Sequence, residues 1–238
     1  MALKKHLDEI THRTKSYATD TLPFAAKEGF HRLIIRVPEL RKLVKQGYSF
    51  YHLEPSEILL IWDHVWKSTQ YYEVAHQALY YYQHKTLSKL EFSKIKTWVG
   101  RCGCWEHSDD LSKIYAQVVE DNSALILPQL RKWNNSLSPW KRRQSVVSLI
   151  EYASKRKKIL PYETLISFVA PLLSDQDYYV QKGVGWTLRE IHNVYPTPAL
   201  EFIYANLSSL TPIAFSTATE KVNKADKTKM KEERKKLR

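Results

Sequence analysis

The sequence predicts an all-α protein made of successive helical hairpins, a HEAT-like α-solenoid. Apolar residues recur three and four apart over long segments, only 6 glycines occur in 238 residues, and strand-like runs bounded by paired turn residues are hard to find. Apolar spacing and breakers place helices over about 2–18, 31–47, 54–68, 71–84, 88–100, 105–119, 122–133, 139–155, 161–173, 177–194 and 197–207. The breaks fall at Pro55, Asp121-Asn122, 136–139, Pro161, Ser174-Asp175 and 196–198, where capping residues and prolines start or stop helices. No strict repeat is present. Hairpins of similar length that each need a neighbour to cover an apolar face nevertheless predict a degenerate superhelix.

The composition is 43% hydrophobic and 26% charged, that of an ordinary globular chain rather than a disordered or membrane-embedded one. One domain over 1–217 is expected, followed by a basic, mobile tail over 218–238. Net charge is +12, and removing 220–238, with nine basic and four acidic residues, leaves +7. Such an excess favours a polyanionic partner through counterion release and steering, but a solvated surface explains it equally well. Cys102 and Cys104 are one residue apart and cannot form the framework of a disulfide-rich secreted protein. No apolar run follows the charged N-terminus, and none reaches the length of a membrane span. A cytoplasmic monomer, with no membrane association and no obligate protein partner, is expected.

Three helices carry candidate chemistry. In the segment 177–192, Val180, Val184, Leu188 and Ile191 form a buried stripe. Trp186 lies about 160° from Val184, on the row of Tyr178, Lys182 and Arg189, and so faces away from the core. Gly183 and Gly185 flank it, each costing roughly 1 kcal/mol of helix propensity, a cost tolerated where another backbone comes close. A helix packed on two sides gives the same pattern. In the segment 104–115, Leu111, Ile114 and Tyr115 are buried, while Trp105 and Asp109 share a row about 120–160° away from Leu111. Asp110 is turned about 140° from Trp105 and reads as ordinary first-turn charge. His107 points to the core and is structural. Cys102, Cys104 and His107 form a weak metal candidate with no fourth ligand at zinc-site spacing, so neither a metal nor a cofactor is expected. In the segment 139–150, the rows continuing from Arg142 and Arg143 are mainly apolar. At least one of these arginines therefore needs an anion, either an internal carboxylate or a phosphate.

Together these segments resemble the AlkD-type DNA alkylation-repair glycosylases. The resemblance runs from Gly29 through Pro38-Glu-Leu-Arg41, Ile61-Trp62-Asp63 and Tyr72-Glu73 to Tyr178-Tyr-Val-Gln-Lys-Gly-Val-Gly-Trp-Thr-Leu-Arg-Glu190, the most specific motif. It implies a concave, basic, DNA-facing surface. On it Trp105 and Asp109 match the family's tryptophan and its aspartate four residues on, Arg143 its arginine, and Trp186 its second tryptophan. Lys182 and Arg189, on the row of Trp186, are assigned to DNA with Arg143. The resemblance further implies duplex DNA carrying alkylated purines as partner. It implies hydrolysis of the N-glycosidic bond of 3-alkyl and 7-alkyl purines, whose cationic base is already a good leaving group. Two features depart from the pattern: Gly103-Cys104-Trp105 stands where paired aromatics are usual, and an extra loop is read around Trp66 to Tyr71. The alternatives are a non-catalytic HEAT-like scaffold binding DNA or protein, and a metal-dependent enzyme using the cysteines.

Overall fold

The computed structural model describes residues 2–25 and 28–237. Met1 and Arg238, which enter the readings of the two termini, lie outside the described residues. The chain folds as two compact units, 1–114 and 115–238. The fold is all-α apart from one small hairpin, and no helix among the described residues is long and apolar enough to cross a membrane.

The first unit holds α1 (Ala2–Lys15), α2 (Val37–Gln46), α3 (Pro55–Ser68), α4 (Tyr72–Tyr82) and α5 (Lys89–Ile95). Local sequence explains where two of them start. Pro55 pre-sets the first turn of α3, with a capping box between Glu54 and Glu57, and Ser88 with Glu91 forms the same device at α5. α3 packs on α1 and α4, and α2 on α4. Trp62, Trp66 and Trp98 are fully buried, each contributing roughly 1.5–3 kcal/mol of apolar burial. A buried indole N–H usually finds an acceptor, and two of these three do, whereas Trp62 Nε1 has none among the described residues. Trp98 donates to the Asp63 carboxylate at 2.8 Å, and Trp66 donates to the Trp98 carbonyl at 3.1 Å. The Ile61-Trp62-Asp63 motif is thus a core device. A second buried polar link runs from Thr14 of α1 through Gln77 of α4 to the Tyr48 hydroxyl.

α6 (Trp105–Asn134) begins in the first unit and ends in the second, and its helical geometry is interrupted at Asn122, with φ −155° and ψ 73°. The break falls where Asp121-Asn122 predicts it, and the Asn122 side chain accepts the Leu125 N–H at 3.2 Å, capping the second segment. The second unit continues with α7 (Pro139–Val147), α8 (Tyr162–Val169), α9 (Tyr178–Val194), α10 (Pro196–Ala205), α11 (Pro212–Ala218) and α12 (Lys224–Lys236). α9 is its central element, capped by Asp177 and packed against α7, α10 and α11. The Ala214 carbonyl oxygen of α11 lies 2.6 Å from where a Cβ on Gly185 would stand. Only glycine admits that approach.

Several expectations are corrected. Residues expected to open a helix at 31 instead form β2 (Phe30–Leu33), paired antiparallel with β1 (Thr21–Ala25). β1 is mostly exposed, contains Pro23 and carries a register shift between Leu22 and Ala25, so it lacks the alternation that marks a strand. The loop expected around Trp66 to Tyr71 is short, because Trp66 lies inside α3 and only residues 69–71 join α3 to α4. The helix expected over 139–155 ends at Val147, and the continuing apolar spacing comes from Leu149 and Ile150, buried in a turn. The basic segment expected as a mobile tail is helical over α12 and docked. Met230 is fully buried, Val222 is buried, and Arg234 hydrogen-bonds the Leu210 carbonyl.

The hairpin is tied to α4 by Glu73, whose buried carboxylate accepts the Leu33 N–H at 2.7 Å. Burial pushes this carboxyl up to about 7, against the opposing pull of that hydrogen bond and of Arg32. A raised folded-state value stabilises the fold fully at acid pH and loses that contribution as pH rises through it. Glu73→Gln should therefore melt close to the wild type at pH 5 and several degrees higher at pH 8. Thermal melts at the two pH values check this, and an equal shift at both contradicts it.

Candidate nucleic-acid interface

Trp105 and Asp109 stand on the first turns of α6, in the first unit. Trp105 is 50% exposed, as its row predicts, and Asp109 is partly exposed. Asp110 is different. Its carboxylate is buried, receives Lys113 Nζ and pairs with His76 Nε2 of α4. Burial alone would raise its pKa, but the hydrogen bond and charge of His76 and then those of Lys113 win, holding it well below the usual carboxylate range. The reading of Asp110 as ordinary first-turn charge is corrected. The wheel gives the direction of a side chain but not the partner waiting on the next helix.

Three further contacts fix this turn. His107 is fully buried and stacked on Tyr72 at 4.3 Å, and burial lowers its pKa far enough to keep the ring neutral. Glu106 pairs with Arg32 of β2 at 3.2 Å. A Cβ on Gly103 would stand 2.0 Å from the Glu28 carbonyl oxygen. The departure at Gly103-Cys104 therefore has a steric cause: the hairpin backbone occupies the space a side chain would need. Cys102 and Cys104 are buried and form no disulfide, and burial pushes the Cys104 thiol up to about 12, which opposes thiolate ligation. No group of three or more His, Cys, Asp or Glu able to hold a metal is found among the described residues.

Arg143, Trp186, Lys182 and Arg189 lie in the second unit. Trp186 does not face solvent: its side chain is only 9% exposed. The single-stripe wheel misleads because α9 is packed by α7 and by α11, so nearly every row is covered. Its ring lies 5.2 Å from the Tyr152 ring and 5.9 Å from the Arg143 guanidinium. Arg143 is itself buried and donates to the Tyr179 carbonyl at 2.7 Å. Gly183 leaves it room, since a Cβ there would meet Arg143 Cγ at 3.2 Å. The internal carboxylate foreseen for one arginine of the pair goes to Arg142, which holds Asp175 through two hydrogen bonds. Lys182 is exposed. Arg189 is bound by Glu190 at 2.9 Å and Glu220 at 2.6 Å, so its charge is matched within the protein.

Sequence reasoning passed over His76, Lys113 and Tyr152. A carboxylate pair at 109–110 signals only that one member needs a partner, and nothing in the spacing singles out His76 of α4.

A family model described as DNA alkylation repair enzyme matches residues 6–222. The chain belongs to the DNA alkylation repair enzyme family. The fold is similar to that of AlkD2 from Streptococcus mutans, at 17% identity and a TM-score of 0.62 over 93% of this chain and 99% of that one. It is also similar to a predicted DNA alkylation repair enzyme from Enterococcus faecalis, at 19% identity and a TM-score of 0.69 over 91% and 96% of the two chains. A comparison with curated proteins gives no match. Membership makes the protein one of a family of enzymes whose substrate is DNA.

The buried Asp110 cluster should stabilise the protein. Asp110→Asn removes a charged, buried acceptor of about 2 kcal/mol and should lower the thermal midpoint at pH 7 by ~4–8 °C. A depressed pKa keeps this contribution present at neutral pH and releases it only as pH falls through the lowered value. Calorimetry of the two proteins checks this, and an unchanged midpoint contradicts the anchoring role.

Proposed function

We propose that this DNA alkylation repair enzyme is a glycosylase that hydrolyses the N-glycosidic bond of cationic 3-alkyl and 7-alkyl purines in duplex DNA. The observation that carries the reading is the exposure of Trp105 and Asp109 on one row of α6. Asp110 is consumed by His76 and Lys113, while Asp109 shares its helix row with the half-exposed Trp105.

Bond cleavage from a cationic purine builds positive charge on the deoxyribose while the base leaves neutral. A carboxylate near the sugar stabilises that oxocarbenium-like charge and orients or deprotonates the attacking water, so Asp109 takes this role. No strong acid is needed to protonate the leaving base. Trp105 and Trp186 are assigned to the sugar, where an electron-rich ring face attracts developing positive charge by about 0.5–2 kcal/mol. Arg143 is assigned to a backbone phosphate. Lys182 supplies a further exposed cation, and Arg189 contributes less because Glu190 and Glu220 already neutralise it.

Asp109→Asn keeps the size and removes the charge. Single-turnover excision of 7-methylguanine should fall at least ~100-fold. Affinity for a duplex carrying an abasic analogue should hold or rise as repulsion from phosphate is relieved. A wild-type excision rate in this variant sinks the assignment of Asp109, and equal losses of rate and affinity make it a binding residue only.

A further inference from the structure

After α7 the chain reverses through a turn at Tyr152, which has φ +45° and ψ 83°. Left-handed backbone is disfavoured for a bulky L-residue and persists only where the surroundings impose it. They do so from both sides. The Ala153 N–H donates to the buried Glu190 carboxylate of α9 at 3.0 Å, and the buried Glu151 lies 3.6 Å from the Arg156 guanidinium. The turn closes through Lys155 N–H to the Tyr152 carbonyl at 2.8 Å and Arg156 N–H to the Ala153 carbonyl at 3.0 Å. None of these contacts uses the tyrosine side chain. A glycine or asparagine would satisfy the backbone better, so the aromatic ring calls for another reason.

The ring sits 5.2 Å from Trp186 and is 39% exposed, against 9% for the indole behind it. The indole N–H of Trp186 is buried and has no acceptor among the described residues. Lys155 Nζ lies 4.4 Å from the Tyr152 ring centroid, and Lys155, Lys157 and Lys158 are all exposed on this loop. A part-exposed aromatic ring on a constrained turn, with an exposed ammonium group lying over it, matches a sugar ring bonded to a phosphate. The exposed part of the ring packs on the apolar sugar, and the flexible lysine swings off the ring to meet the phosphodiester.

We infer that Tyr152 and Lys155 form a sugar–phosphate contact point for duplex DNA beside Trp186, with Tyr152 as a positioning residue. The inference rests on the glycosylase reading of Trp186. The test is fluorescence anisotropy of the full chain with a labelled duplex carrying an abasic analogue, over a salt series. The variants are Tyr152→Gly, Tyr152→Phe, Lys155→Gln and Trp186→Ala. Glycine accepts the backbone of the turn, so Tyr152→Gly should fold with a similar thermal midpoint and bind about tenfold more weakly, whereas Tyr152→Phe, which keeps the ring, should stay within ~2-fold. Lys155→Gln should reduce the slope of log K against log salt by ~0.9, the signature of one phosphate contact. Wild-type affinity in folded Tyr152→Gly, beside weakened Trp186→Ala, overturns the contact point and leaves the glycosylase reading standing. Wild-type affinity in both overturns the contact point and the role of Trp186 together. Should Tyr152→Gly fail to fold, Lys155→Gln decides, because an unchanged salt slope overturns the phosphate contact.

Discussion

The hydrogen-bonded cluster of His76, Asp110 and Lys113 is the constraint that sets the opening turns of α6. It joins α4 to the opening turns of α6. Taking a carboxylate out of water is costly, and its position is fixed once the Lys113 ammonium and the His76 ring repay that cost, because every displacement loses charge-assisted hydrogen bonds. His107 stacked on Tyr72, Glu106 on Arg32 and the missing side chain at Gly103 constrain the same turn from other directions. What the anchors leave exposed is the row of Trp105. Side chains on a helix anchored in this way are held more precisely than side chains on a loop.

The second unit solves a different problem. α9 is covered on several sides, and its two glycines trade helix propensity for close packing. Gly185 admits the backbone of α11, and Gly183 admits the Arg143 side chain. The result is a tryptophan held by packing, between an arginine that donates to a main-chain carbonyl and a tyrosine on a constrained turn. Holding aromatic and cationic groups rigid before a ligand arrives lowers the ordering cost on binding.

Most of the helical architecture was legible because helix periodicity and capping chemistry are local. The break at Asn122, the start of α3 at Pro55 and the span of α9 all follow from residues within a few positions of the event. What misled were features set by distant parts of the chain. Leu149 and Ile150 continue an apolar rhythm after α7 has ended, because burial and helicity are separate properties. β1 holds its place through pairing with β2 rather than through its own pattern. In the site, the exposure of Trp105 followed from its wheel position, whereas the burial of Trp186 did not, since a wheel assumes one buried face. The commitment of Asp110 depended on His76 in another helix. Docking of α12 through Met230 was hidden because one apolar residue among many lysines leaves no periodic signal.

Family membership makes the protein a DNA alkylation repair enzyme, and the proposal adds excision of the damaged base as its reaction. The direct measurement incubates the wild-type chain in excess with a duplex containing a single 7-methylguanine and quantifies free base by chromatography over time. Free 7-methylguanine should be released, to one equivalent per duplex, with an abasic strand of matching yield. Stable binding of that duplex with the modified base still attached would contradict it.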